Sequence, residues 1–404
     1  MKKIFKGVAL AAALALGLSA CGADPTADEE TADASTGDDS DTILIGGSLN
    51  LDGEQSAYDA LILEGIEVAI AEANENGGVL GKEIVWENLN GGSDTTTIAN
   101  NAEVLIERGA DAIIAPADFD YGSPAARAAQ DAGLVGISPG ATSPSYGSDV
   151  LGDKQFTIGY WNTAMGAAAA EWAYEEQGFE NAYVVTYDGL DYTESLSRYF
   201  MESWENAGGT VVAEDKYSGG GDFSAQLQRL RNEIDNVDVI YISVYNPDLA
   251  QFIREIRASG IDTMILGGDG YDGPELSESL GEEHGNNIYY VTHAFLSEEA
   301  NPNIPEFIET FEEHQGSEPL SILEALGYDT ATALMEAMEA AGTTDGDALA
   351  EQMTSMEFDL LSGQLSWASA EDGHEPQKET AIVYLDEGQP VFDKWFQPEW
   401  TPEP

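Results

Sequence analysis

From residue 42 to about residue 294, short apolar runs alternate with longer segments whose apolar residues recur at helical spacing, and this alternation constrains the fold more than any other feature. TILIGGSL (42–49), KEIVWENL (82–89), DAIIA (111–115) and LVGIS (134–138) read as strands. Between the first two, YDALILEGIEVAIAEANENGG (58–78) places Leu61, Gly65, Ile66, Ala69, Ile70 and Ala73 at helical intervals, and Gly77-Gly78 stops the helix. TTIANNAEVLIERG (96–109) reads as a second helix. A further series follows: AYVVTY (182–187), TVVAEDKY (210–217), DVIYISV (238–244), DTMILGG (262–268) and NIYYVTHA (287–294), with helical segments between most of them. Strands that are apolar along their length and joined by helices belong in parallel sheets covered on both faces. Two such series, one before about residue 160 and one after, predict an α/β chain of two doubly wound parallel-sheet lobes.

The first twenty residues stand apart from this pattern. Lys2, Lys3 and Lys6 precede GVALAAALALGL (7–18), an apolar run too short to hold a bilayer as a stable span. Leu18-Ser19-Ala20-Cys21 resembles the lipobox of bacterial lipoproteins, in which the cysteine is lipidated and becomes the mature terminus. Residues 1–20 are therefore expected to be a lipoprotein signal peptide. Cys21 then carries the lipid, which tethers the protein to the outer face of the cell membrane and makes that lipid its only membrane contact. Cys21 is also the only cysteine, which excludes intrachain disulfides and Cys-based metal sites. Residues 21–41 follow as an acidic tether. ADPTADEETADASTGDDSD (23–41) holds eight carboxylates and almost nothing apolar, so it repels itself and has too little surface to bury.

The acids continue through the whole chain. Asp and Glu number 75 against 15 Lys and Arg, a formal net charge of −60. Such a charge strains a compact state by self-repulsion at ordinary ionic strength. In roughly 1 M salt the Debye length falls to about 3 Å and the strain is screened. The charge thus reads as adaptation of a halophilic, acidic surface to salt. It also argues against nucleic acid as a partner, since no basic patch is left to neutralise phosphates.

Signals for chemistry are sparse. The four histidines, His284, His293, His314 and His374, show no metal-binding spacing and are expected at the surface or between the lobes. Gly268-Asp269-Gly270-Tyr271-Asp272-Gly273 fits G-x-G-x-x-G after a strand, but its two aspartates would repel a pyrophosphate, and PELSESL (274–280) lacks the close-packed helix start that motif needs. No catalytic residue, metal or cofactor is expected, and the chain is not expected to be an enzyme.

Five stretches, in order, carry a resemblance: GVLGKEIVW (78–86), GLVGISPGATSP (133–144), VVTYDGLDYTESL (184–196), GGGDFSAQLQRLR (219–231) and VIYISVYNPDLAQFIREIRASGI (239–261). The chain resembles the extracytoplasmic solute-binding proteins of ABC transporters, of the branched-chain amino-acid (leucine-binding, periplasmic-binding-protein type I) kind, from about residue 43 to about 395. The resemblance implies a three-strand hinge with crossings near 160–162, 292–294 and 361–376. Lobe 1 is then 42–160 plus 293–365, and lobe 2 is 161–292 plus 366–404. It implies a pocket in which Tyr58 touches the ligand from the first lobe and Gly140-Ala141-Thr142 grips a carboxylate. Tyr192 and Tyr245 lie against the ligand from the second lobe, Leu323 forms a wall, and Asp269 pairs with an ammonium group.

One loop departs from the family pattern. Amino-acid binders carry serines after the third strand, and serine donates hydrogen bonds to a carboxylate. Here the loop reads Asp118-Phe119-Asp120-Tyr121. An ionised aspartate accepts only, and it repels a nearby carboxylate. Phe119 and Tyr121, together with Tyr58, Tyr160, Trp161, Tyr192 and Tyr245, offer ring faces suited to a cation or a donor-rich neutral solute. Alternatively, Asp118 and Asp120 cap a helix running from Pro124; the cap is the better reading for Asp118, and both stay open for Asp120. The function expected is that of a monomeric, lipid-anchored receptor that closes on a small polar solute (amino acid, amide or amine-like) and delivers it to an ABC permease. A sensor lobe signalling to a membrane receptor and a lipid-anchored hydrolase are the rival readings.

Overall fold

Strands that are buried along their whole length can satisfy their backbone only inside a sheet, and that is where the computed structural model, which describes residues 41–404, places them. β1 (Thr42–Gly47), β2 (Glu83–Asn88), β3 (Ala112–Ile114), β4 (Val135–Ser138) and β5 (Gln155–Thr157) pair in parallel in the order β2-β1-β3-β4-β5. The second sheet begins with β6 (Asn181–Tyr187), β7 (Thr210–Tyr217), β8 (Val239–Ser243), β9 (Met264–Gly267) and β10 (Ile288–Thr292), again parallel. A small antiparallel sheet follows, built from β11 (Phe358–Leu360), β12 (Gly363–Trp367) and β13 (Pro376–Gln377). β14 (Thr380–Asp386) and β15 (Gln389–Phe396) then add antiparallel to β10, so the second sheet runs β15-β14-β10-β9-β8-β6-β7. Glu387 and Gly388 both take positive φ (51° and 82°) in the two-residue turn between them, as a tight hairpin with right-handed twist requires. The expected lipoprotein leader, Cys21 and all but the last residue of the expected acidic tether lie outside the described residues.

Helices cover both sheets. The first lobe has α1 (Ser56–Glu75), α2 (Thr95–Glu107), α3 (Phe119–Asp131) and the single turn α4 (Ser148–Leu151). The second has α5 (Asn162–Glu171), α6 (Asp191–Ala207), α7 (Ser224–Glu233), α8 (Asp248–Ala258) and α9 (Pro274–His284). The chain then returns: α10 (Ile304–Gln315) and α11 (Ile322–Ala341) pack on α1, and α12 (Gly346–Ser355) lies against α11 and β4. The final passage to the second sheet is held at its start by Asp329, which accepts from the amides of Leu361 (2.9 Å) and Ser362 (2.8 Å). Lys378, near its end, donates to Ser362 Oγ at 2.8 Å.

The α1–α11 contact is unusually close because two glycines face it. A Cβ on Gly65 would stand 1.8 Å from the Glu324 carbonyl oxygen, and one on Gly327 would stand 1.9 Å from that of Ile62. Neither has room for a methyl group. At α3 the structure corrects the sequence reading: the helix begins at Phe119, and Pro124 lies inside it. Asp118 is the N-cap, its side chain accepting from the amides of Asp120 (2.7 Å) and Tyr121 (3.2 Å). With the first turn satisfied in this way, the helix starts more than a turn before the proline.

Candidate solute-binding cleft

In a doubly wound sheet the loops at the carboxyl ends of the strands open outward on either side of the point where strand order reverses. In the first sheet that point lies between β1 and β3, and Tyr58 and Asp118 follow those two strands. In the second it lies between β6 and β8, and Tyr192 and Tyr245 follow those. The two reversals face each other across one cleft.

Asp59 ties the first-lobe loops together. It is fully buried and accepts from Asn50 N (3.0 Å), Asn50 Nδ2 (2.7 Å), Gln55 Nε2 (3.2 Å) and Ala117 N (3.1 Å). Burial still pushes its carboxyl up to about 6, against the lowering effect of those donors. The segments after β1 and β3 are thus fixed to each other, which sets Tyr58 beside Asp118.

The cleft is shut. Tyr58 OH donates to the Gly270 carbonyl at 3.1 Å, and Tyr245 OH donates to Gln55 Oε1 at 3.0 Å, each bond running from one lobe to the other. The Tyr58 and Tyr245 rings lie 4.8 Å apart, and Tyr192 meets Tyr245 edge-on at 5.6 Å. Asp120 Oδ2 accepts from the Asp191 amide at the start of α6 (2.8 Å), and Ser143 Oγ donates to the Asp191 carboxylate. Asp120 is therefore a latch between the lobes. Replacing it with Ala should weaken solute affinity about tenfold by destabilising the closed form, while Asp120→Asn, which keeps an acceptor, should bind nearly normally. Calorimetric titration of the two variants checks this; equal affinities for Ala and Asn would remove the latch.

Behind these contacts lies a cavity of about 30 Å³. Hydrogen bonds between the lobes run beside it, so a solute enters only once the lobes part. Tyr58, Tyr192, Tyr245, Asp269 and Gly140 line it, and so does Leu323. Phe119, Asp120, Tyr121, Ala141 and Thr142 do not. Phe119 packs with Ala126, Ala141, Tyr146 and Leu151, Tyr121 OH donates to Glu54 Oε2 at 3.0 Å, and Thr142 is buried with Oγ1 unpartnered. Tyr160, against the His293 ring, and Trp161, against Gly147 and Gly373, are buried outside the lining.

Several lining residues were not singled out by the sequence reading. Ile62 and Leu326 lie one turn beyond Tyr58 and Leu323 on the same helix faces, a spacing that could have shown them. Asp118 lines the cavity as well as capping α3, and it is 2% exposed. His293 had no such signal. It is 1% exposed, stands against the Tyr160 ring at 4.4 Å and holds Asp269 Oδ2 through Nε2 at 2.9 Å. Burial holds its pKa below the usual histidine range despite Asp269, so at neutral pH the ring is uncharged and its Nε2–H donates. Asp269 Oδ1 is buried and has no hydrogen-bond partner among the described residues. His374, expected at the surface or between the lobes, is buried in a stack on Phe156 at 4.4 Å, with Nδ1 near the Gln155 carbonyl, a contact between segments assigned to the two lobes.

Gly136-Ile137-Ser138-Pro139-Gly140 fits the nucleophile pattern G-x-S-x-G, correcting the reading that the sequence holds no such motif. Ser138 is buried at the end of β4; its Oγ donates to the Pro116 carbonyl at 2.8 Å and accepts from the Ala141 amide at 3.1 Å. It has no histidine partner, and a loop rather than a helix follows it, so the serine is structural. In the other glycine motif, Asp269–Tyr271 forms a 3₁₀ turn and Asp272 is buried against Thr292, leaving no phosphate cradle.

Two doubly wound lobes closed over a small cavity, with ring faces and a few polar groups at facing strand ends, define a protein that holds a solute between hinged halves. Residues 42–390 match the family model described as Periplasmic binding protein, and the chain belongs to that family of extracytoplasmic, non-enzymatic solute binders. Among its relatives, the Leu/Ile/Val-binding protein homolog 1 of Brucella melitensis is 27% identical over 370 residues, 91% of this chain and 92% of that protein. The leucine-binding protein LivK from Thermotoga maritima is 30% identical, with a TM-score of 0.79 over 88% of this chain and 99% of that one. LivJ from Streptococcus pneumoniae, solved in complex with isoleucine, is 25% identical, with a TM-score of 0.80 over 88% of this chain and 100% of that one.

Proposed function

We propose that this chain is a monomeric, lipid-anchored receptor that captures a small polar solute by lobe closure and hands it to an ABC permease. The observation that carries the reading is the cavity itself: first-lobe Tyr58, Asp118 and Leu323 meet second-lobe Tyr192, Tyr245 and Asp269 around one space, and hydrogen bonds between the lobes seal it. Rings and aliphatic walls supply burial, and a few polar groups supply orientation, as in other small-solute sites. The names of the relatives, which state leucine, isoleucine and valine, and the isoleucine complex of LivJ support a solute of amino-acid size. The lipobox-like Leu18-Ser19-Ala20-Cys21 supports anchoring through Cys21, with the acidic segment as spacer.

The test is a thermal-shift screen at about 1 M salt, where the surface charge is screened. It spans amino acids, amides, polyamines and quaternary ammonium compounds. At least one class should raise Tm, by about 2.7 kcal/mol of stabilisation at a hundredfold excess over Kd, and the same solute should survive unaltered. No hit in any class, or turnover of a hit, would end the reading.

A further inference from the structure

We propose that the cavity selects a small organic cation that carries no carboxylate, with Asp118 acting beside Asp269 as a second acceptor for it. The proposal rests on the solute-binding reading above and narrows its ligand class. Adaptation to salt accounts for carboxylates on the surface, where water and ions solvate them, but not for carboxylates in the cleft. Asp118 is 2% exposed and the Asp269 side chain 14%, and both line the same cavity. Burial favours the protonated Asp118 carboxyl up to about pH 8, and a cationic ligand supplies the charge partner that lets it ionise.

Several donors around the cavity that could hold a carboxylate are already engaged, although among the described residues the Gly140 amide and the Tyr192 hydroxyl proton are not. The Tyr58 and Tyr245 hydroxyls donate across the cleft to Gly270 and Gln55. The amide of Ala117 donates to Asp59, that of Gly270 to Tyr192 OH, and that of Asp269 to Met165 Sδ. Thr142 and Ala141, which the family resemblance would place on a carboxylate, are not in the lining. Against these stand acceptor capacity on Asp269 Oδ1, a second carboxyl in Asp118, and three tyrosine rings, which attract a cation over their faces. A second pocket of about 280 Å³, which also has Tyr245 in its wall, repeats this composition with Glu54, Tyr187, Tyr217 and Asp248.

Protonation tells the two ligand classes apart. Asp118 faces Asp120 on its own helix, Asp59 from α1 and Tyr245 from the second lobe, and it shares the cavity with Tyr58, Tyr192, Asp269 and the uncharged His293. Burial first, then repulsion from Asp120 and Asp59, pushes its carboxyl up to about 8. A cation binds the ionised form and expels the proton, so its affinity rises with pH up to about 8 and then levels. A carboxylate needs the protonated form as donor, so its affinity would fall as pH rises through about 8.

Calorimetry of the purified protein at about 1 M salt, from pH 6 to 9, with isopentylamine, putrescine and L-leucine as probes, decides between them. Isopentylamine is leucine without its carboxyl group. The expected result is that an amine binds more tightly than leucine, with affinity rising about tenfold per pH unit below 8. Asp118→Asn, which can still cap α3, should bind the amine weakly and with a flat pH profile. Leucine binding as tightly as the amines, an affinity that falls with pH, or an unchanged profile in Asp118→Asn overturns the proposal and leaves the solute-binding reading standing. Binding of neither amine also overturns it, and the thermal-shift screen then judges the broader reading separately.

Discussion

Asp269→Ala should abolish solute binding, with a loss of at least about a hundredfold, while the fold survives. Truncating one partner of a buried, hydrogen-bonded charge pair typically costs about 2–5 kcal/mol, because the other charge is left unpaired in a medium that cannot solvate it. Asp269 is placed for such a pair. It opens the 3₁₀ turn after β9, His293 fixes one of its oxygens, and the other is buried at the cavity with no hydrogen-bond partner among the described residues. The variant removes nothing from either sheet, so Tm without solute should stay near that of the parent chain. Affinity measured by calorimetry for the solute found in the screen is the readout. A change of less than about threefold, under 1 kcal/mol, would show that the acid does not meet the ligand's charge.

The largest effect on stability should come from Gly65→Ala. The new Cβ would lie 1.8 Å from the Glu324 carbonyl oxygen, and that atom belongs to helix backbone that cannot rotate away. Overpacking of this kind costs about 3 kcal/mol or more, and the cure is separation of α1 from α11. Tyr58 and Ile62 stand on the first of these helices and Leu323 and Leu326 on the second, so the separation also pulls apart one wall of the cavity. A fall in Tm of about 6 °C or more, together with weakened binding, is expected by scanning calorimetry in high salt. A shift within about 1 °C would mean that the two helices are not held in this close contact. Gly327→Ala should behave alike, since the contact is reciprocal.

How much of this the sequence disclosed can be judged strand by strand. The parallel strands β1–β4 and β6–β10 were legible because short apolar runs bounded by glycine or polar turns have few other uses. β5 was not: three residues, Gln155–Thr157, cannot show a period. The hairpin β14–β15 was missed because its outer strand is only half-buried and follows no helix, so it lacked the alternation that marked the rest. In the site, tyrosines after strands were visible through the family resemblance, but the loop Asp118–Tyr121 misled. Its rings and second acid looked like ligand groups, yet Asp118 starts α3 so early that Phe119, Asp120 and Tyr121 turn along the helix to packing, latch and rim positions.

The sequence by itself determined the two-lobed α/β architecture, because burial pattern and chain alternation are local properties that parallel sheets alone satisfy. Only the tertiary structure decided which of so many acids matter. Asp118, Asp269 and their neighbour His293 come from segments distant in sequence, and what sets them apart is burial at one cavity, which a string of residues does not encode locally. A carboxylate in water is one of many. Taken out of water, a carboxyl keeps its proton or takes a charged partner, and the packing around it sets that choice.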